Sequence, residues 1–242
     1  MSALDTYRES VLEAFNGLEL QRDRLETAAF WLAETLQQDG LLYVAGSGHS
    51  HMLAEEVFYR AGGLAAVYPL LEPSLMLHEG AVKASALERL EGFAALLLDE
   101  TEIGERDLLV VVSNSGRNAF PIEVALEAKR RGCKTVALTS LAHSGAVSSR
   151  HTSGKRLFEV ADLVLDNGAP YGDAVIEIPG LESNIGAVSS LTGIYLLNAV
   201  VVRAIERCAE VGFVPDIFIS ANAAGGGQTL DLKRWQARIK RL

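Results

Sequence analysis

Residues 41–60, LLYVAGSGHSHMLAEEVFYR, decide the fold. They open with an uncharged apolar run, Leu41–Ala45, pass through a glycine turn, Gly46–His51, and continue with apolar residues at helical spacing to Arg60, where Gly62 and Gly63 close the segment. An apolar run too short for a helix, followed by a glycine turn and a helix, is the strand-turn-helix unit of a parallel sheet. Such a turn leaves backbone N–H groups free at a helix start, the place where a protein binds an anion. The glycines invite a dinucleotide reading, and Glu72 lies where a ribose-binding acid is expected. His51 argues against it, because it occupies the third position of GxGxxG, where close helix-to-strand packing excludes a ring.

The same unit recurs at residues 108–132, LLVVVSNSGRNAFPIEVALEAKRRG: strand Leu108–Val112, a polar turn, then a helix from Ala119 to Arg131 ended by Gly132. Ala65–Leu71 and Thr135–Leu138 are further strands, and Leu163–Asp166 and Val175–Ile178 are shorter candidates. Ahead of the first strand, Val11, Phe15 and Leu18, then Leu25, Ala29, Leu32 and Leu36, recur at helical spacing until Gly40. Beyond Ile178 the pattern predicts a long apolar helix over Ser183–Glu210, then Pro215–Ser220, a Gly225–Gly227 run and a basic tail. The expected fold is α/β: one doubly wound domain with a mostly parallel sheet, an N-terminal helical arm (1–38), a core (39–212) and a C-terminal extension (213–242).

The chain has 242 residues, 49% of them hydrophobic, which is enough to enclose a core. A net charge of -9 sets the surface as a whole against nucleic acid and anionic membranes, and the basic run Lys233, Arg234, Arg238, Lys240, Arg241 reads as a solvated helix face. Cys133 and Cys208 are far apart without metal-ligand spacing, so a reducing setting is expected. The start, MSALDTYRES, does not read as a leader, and no uncharged apolar segment reaches membrane-span length. The chain therefore reads as cytoplasmic, with no membrane partner.

Chemistry concentrates in Ser113-Asn114-Ser115-Gly116-Arg117-Asn118. Asn118 suits an N-cap before Ala119, but capping needs only one or two such groups. The surplus of hydroxyls and amides suits a phosphate, since hydroxyl and N–H donors hold a dianion without a lysine at ~1.5 to 3 kcal/mol for each charge-assisted bond. Thr139-Ser140 ends the next expected strand, so three polar strand ends converge at one sheet edge.

GxGxS at Gly46–Ser50, SNSG at Ser113–Gly116 and Thr139-Ser140, in this order, resemble the sugar isomerase (SIS) domain of phosphoheptose isomerases, arabinose 5-phosphate isomerases, glucosamine-6-phosphate synthase and N-acetylmuramic acid 6-phosphate etherase. The resemblance spans roughly residues 35–210. SNSGRN, SSRHTSGK and DNGAPYGDA resemble most an uncharacterised, phosphoheptose isomerase-like subgroup. The resemblance implies a doubly wound, mostly parallel five-stranded sheet of flavodoxin-like form and a phosphosugar ligand bound by Ser113, Asn114, Ser115 and Asn118, with Ser47 and Ser50 on the sugar side. His49, Thr139 and Ser140 join that binding set. No cofactor or metal is expected: His49 and His51 have no third ligand evident in the sequence. A homodimer or homotetramer is expected, the arm packing on its own subunit or on a second copy.

Aldose-ketose isomerisation needs a base that moves a proton between adjacent carbons and an acid that assists ring opening. His78-Glu79-Gly80 resembles the His-Gly-Asp of arabinose 5-phosphate isomerases, which makes Glu79 and His78 the candidate catalytic groups, with Glu55 as a further carboxylate. Where phosphoheptose isomerases carry a glutamate about ten residues after the first-turn serine, this chain has Arg60, with Glu55 and Glu56 a turn earlier. Their late-helix histidine is also missing: Glu182, Ser189 and Ser190 are the polar groups there. His143 and His151 lie in a polar segment, Thr139–Lys155, that reads equally as a lid, an intersubunit loop or an ordinary solvated loop, and His151 with Arg150 and Lys155 offers cations for a phosphate or carboxylate. The function expected is an aldose-ketose isomerase of phosphosugars. A noncatalytic phosphosugar-sensing module and an amino-sugar-phosphate etherase or lyase remain the alternatives.

Overall fold

The computed structural model describes residues 2–220 and 230–242, so the Gly225–Gly227 run lies outside the described residues. The first apolar run forms strand β1 (Leu42–Gly46), followed by a short turn of helix (Gly48–His51), helix α3 (Met52–Val57) and strand β2 (Val67–Leu70). Strand β3 (Leu108–Val112), helix α6 (Ala119–Arg130) and strand β4 (Lys134–Thr139) repeat the unit, and β5 (Leu163–Asp166) completes a sheet in the order β2-β1-β3-β4-β5. Every pairing is parallel. All residues of β1, β2 and β3 are buried, as strands covered on both faces must be. The expected doubly wound, five-stranded α/β sheet is therefore present.

Helices α1 (Ala3–Gly17) and α2 (Arg22–Gln37) form the arm. Ala29, Leu32, Ala33 and Leu36 bury one stripe of α2, and helix α9 (Ser189–Glu210) brings Leu197, Val200, Ala204 and Cys208 to the same core. The alanines let α2 and α9 approach closely, in contact with α3 and the sheet, while α5 (Phe93–Asp99), α6 and α8 (Leu157–Val160) form the other set. The arm therefore packs on its own subunit through α2, whereas α1 buries none of its residues. Helix α4 (Ala81–Leu87) and helix α7 (Leu141–Gly145) follow strand ends.

Three expectations need correction. The first helix stops at Val57 instead of reaching Arg60, because Phe58 is extended and Tyr59 adopts φ 47°; Gly62 N–H then donates to Phe218 O at 2.8 Å, drawing the chain to the C-terminal segment. The late helix begins at Ser189, not Ser183. Residues Ile185–Ala187 form strand β7, antiparallel to β6 (Ala174–Ile176), and the Asp173 carboxylate accepts from Val188 N–H and Ser189 N–H at 3.1 and 2.8 Å, which fixes the helix start. The candidate strand at Val175–Ile178 thus belongs to this hairpin and not to the main sheet.

The C-terminal basic run is a clamp. In helix α10 (Leu232–Gln236) the indole of buried Trp235 donates to Asp216 at 2.9 Å, and Arg234 and Arg238 pair with Asp39 at 2.6 and 3.0 Å. Among the described residues no helix is long and apolar enough to cross a membrane.

Leu32 is fully buried between the arm and the core. Leu32→Ala is expected to cost about 2–5 kcal/mol. A urea titration followed by tryptophan fluorescence reads this as a lower midpoint at unchanged slope.

Candidate functional site

Register puts the two chemical turns side by side. Gly46 pairs with Val112 at the carboxyl ends of β1 and β3, so the chain enters both turns at one sheet edge. From there it leaves in opposite directions, to β2 on one side and β4 on the other, which opens a crevice between the turns.

The first turn needs its glycines. A Cβ on Gly46 would lie 2.5 Å from Ser50 O and 2.9 Å from His51 N, and Gly48 has φ 56°. Ser50 N–H closes the turn on Ser47 O at 3.0 Å, and Ser47 is buried. His51 is also buried: its Nδ1 is hydrogen-bonded to Gly48 O, and its Nε2 lies 3.6 Å from the exposed carboxylate of Glu55. This ring is part of the turn, at the position where a dinucleotide site would need glycine.

In the second turn Gly116 has φ 57° and donates its N–H to Ser113 Oγ at 3.2 Å, so Ser113 closes the loop. Asn114 accepts on its backbone oxygen from Ser140 N–H and Thr139 Oγ1–H, both at 3.2 Å, and on Oδ1 from Asn167 Nδ2–H at 2.9 Å. Asn118 is the N-cap residue of α6, yet its side chain makes no capping bond; its Oδ1 accepts from Arg150 at 3.0 Å. Among the described residues, the N–H groups of Asn114, Ser115, Arg117 and Asn118 and the hydroxyl of half-buried Ser115 have no protein partner. A row of unpartnered N–H groups around a left-handed glycine is an anion-binding nest.

A cavity of about 200 Å³ opens beside the nest. Its wall takes His49 and Ser50 from the first turn, Asn114 from the second, Asn167 and Asp173 from the segment after β5, and Ser189 and Ser190 from α9. Asp173, at φ 71°, is committed to the start of α9, including Ser189 Oγ–H at 2.6 Å. Thr139 and Ser140 do not reach this wall. Both are fully buried, and their hydroxyls donate to Asn114 O and Ala169 O, so they support the second turn from the neighbouring strand end.

The other candidates lie elsewhere. His78 and Glu79 are exposed in the Leu77–Glu79 turn, outside the cavity wall, with the His78 ring 6.3 Å from that of His51. His143 stands 5.0 Å from the Tyr171 ring with its Nδ1 buried and unpartnered, and burial holds its imidazole below the usual range against the opposing pull of Asp173. His151, Glu91 and Glu123 bring ligand-type atoms within 4.8 Å of one another, but both carboxylates already accept main-chain N–H groups, from Thr152 and Gly92.

Asn167 and Asp173 were missed in the sequence although DNGAPYGDA directly follows β5: polar residues at a strand's carboxyl end were the available signal. A larger cavity, about 630 Å³, lies against α1 and the Leu18–Gln21 turn. Its Gln21 amide is committed to the Asp166 backbone, so we assign the site to the smaller cavity beside the unpartnered donors.

The sequence pattern of the SIS domain matches residues 6–140. A UPF0309 protein of Halalkalibacterium halodurans is 45% identical over 207 residues, 86% of each chain. Among solved structures, a phosphoheptose isomerase from Francisella tularensis superposes with a TM-score of 0.55 at 18% identity, over 85% of this chain and all of that one. Phosphoheptose isomerase GmhA from Neisseria gonorrhoeae gives 0.53 at 19%, over 83% and 96%. At such identities the likeness is one of fold.

Gly46→Ala is expected to destabilise by about 1–3 kcal/mol, because the added methyl meets backbone that cannot move aside. Gly17→Ala, with nothing within 4 Å of the new methyl, serves as the control, and thermal unfolding compares the two.

Proposed function

This chain belongs to the SIS domain family, and on that footing we propose that it binds a phosphosugar in the crevice between its two serine turns and interconverts the aldose and ketose forms. The observation that carries the reading is the row of donors without protein partners around Gly116, beside a cavity of sugar size. Ser115 Oγ–H and the N–H groups of Asn114, Ser115, Arg117 and Asn118 hold the phosphate; Ser47 and Ser113 keep the turns closed. The sugar extends over Ser50, His49, Asn114 and Asn167 towards Ser189 and Ser190.

A proton carrier must reach that sugar. Of the titratable side chains on the cavity wall, Asp173 is committed to α9 and His49 has no partner among the described residues. His49 therefore takes the proton from C2 of the open-chain aldose and returns it to C1 through the enediolate, while O2 loses its hydroxyl proton to solvent and O1 gains one from it, leaving the carbonyl at C2. Glu79, His78 and Glu55 lie outside the cavity wall and come second. The exposed face of α1 is the surface through which we expect a homodimer or homotetramer to form. Its two buried free thiols suit a reducing cytoplasm.

A panel of aldose and ketose phosphates followed by proton NMR in deuterated water tests the reaction. Deuterium uptake beside the carbonyl is expected. Loss of an ether-linked group instead would make it an etherase, and tight binding with neither, a sensor. Ser115→Ala is expected to weaken binding on the order of 10- to 150-fold with the fold intact, the equivalent of one charge-assisted hydrogen bond. His49→Gln should lower exchange by about 10²–10⁴-fold at nearly constant affinity. A fully active His49→Gln with an inactive Glu79→Gln would make Glu79 the proton carrier.

A further inference from the structure

The segment that reads in sequence as a lid is pinned. Ser149 Oγ–H donates to Lys155 O at 2.8 Å and accepts from His151 N–H at 3.0 Å, and Thr152 gives both its N–H and its hydroxyl to Glu91 at 2.8 Å. What this bracing presents is Arg150. Its backbone N–H donates to Arg117 O at 2.7 Å and its guanidinium to Asn118 Oδ1 at 3.0 Å, against the start of α6.

Two more arginines meet it there. Arg117 turns its guanidinium to Ser148, donating to the backbone oxygen at 2.9 Å and to Oγ at 3.4 Å. Arg89 follows Glu88, whose backbone oxygen accepts from Phe120 N–H at 3.0 Å in the first turn of α6. Among the described residues none of the three is within 4 Å of a carboxylate, in a chain with 31 acidic residues to draw on. Arg150 is held below its usual value by lost hydration and by Arg117 and Arg89, with Glu88 opposing.

The charge is more than a phosphate needs. Three guanidinium groups and a helix start worth about +0.5 gather beside a turn whose uncharged donors already satisfy a dianion. We propose that Arg150, Arg117 and Arg89 form a second anion subsite beside the phosphate turn, and that the phosphosugar bound here carries a second anionic group, a carboxylate or another phosphate. This rests on the phosphosugar reading above and narrows its substrate class. Arginine suits both groups, since its planar fork binds either in bidentate fashion.

Isothermal titration of the full chain with glucose 6-phosphate, 6-phosphogluconate and fructose 1,6-bisphosphate tests it. At least one of the two doubly anionic ligands is expected to bind tenfold or more tightly than glucose 6-phosphate, and the winner identifies the second group. Arg150→Met and Arg89→Met should each cut that preference to about twofold or less. Arg106→Met, which removes the same charge from the exposed chain just before β3, at the opposite edge of the sheet, should leave the preference as it is. Equal affinity for all three ligands overturns the subsite and leaves the phosphosugar reading standing. So does a preference that survives both arginine substitutions, or one that Arg106→Met lowers as much. Absence of binding by all three overturns the phosphosugar reading and the subsite with it.

Discussion

The parallel ladder between β1 and β3, from Leu42 opposite Leu108 to Gly46 opposite Val112, is the constraint on which the site depends. It joins two strands 66 positions apart in the chain, so the turns that follow them finish level with each other. Because β1 leads outward to β2 and β3 leads the other way to β4, the helices behind the two turns diverge. A crevice at that edge is a consequence of the winding, before any side chain is considered.

Within the crevice the polar residues divide by what they do for the backbone. Ser113, Thr139 and Ser140 are buried, and their hydroxyls bond to the turn or to its support. Burying them unpaired would be costly, so they hold the loop in the shape that leaves other donors free. Ser115 and the N–H groups around it are those donors. Their number follows from Gly116, whose left-handed conformation turns consecutive N–H groups the same way.

The net charge of -9 is spread unevenly, and the unevenness has two meanings. At the C-terminus, Arg234 and Arg238 are neutralised by Asp39 and help to hold Trp235 in the core, so that basic stretch is structural. At the start of α6 the arginines lack such partners, and there the local positive charge is available to a ligand. The difference lies in the position of the acids, and a count of charges does not contain it.

The alternation of apolar runs, glycine turns and helical spacing was sufficient to identify the parallel sheet, its strand-turn-helix units and the two phosphate-type turns, because burial on both faces demands continuous apolar strands and tight turns demand glycine, but it also offered Val175–Ile178, which pairs outside that sheet. SNSGRN was legible as a surplus of donors for the same reason: capping a helix needs fewer. The start of α9 was only partly legible: the segment 183–188, with Asn184, Gly186 and the β-branched Ile185 and Val188, is a weak helix former, and the Asp173 carboxylate, brought over by the β6–β7 hairpin, fixes the boundary at Ser189. Not legible were the separation of His78 and Glu79 from the cavity, the presence of Asn167 at it and the seating of Arg150 against the start of α6, for these depend on where segments far apart in the chain come to rest. Local sequence governs conformations whose energies are local. Which polar groups find partners and which stay free is decided by contacts between distant segments, and only the folded chain determines those.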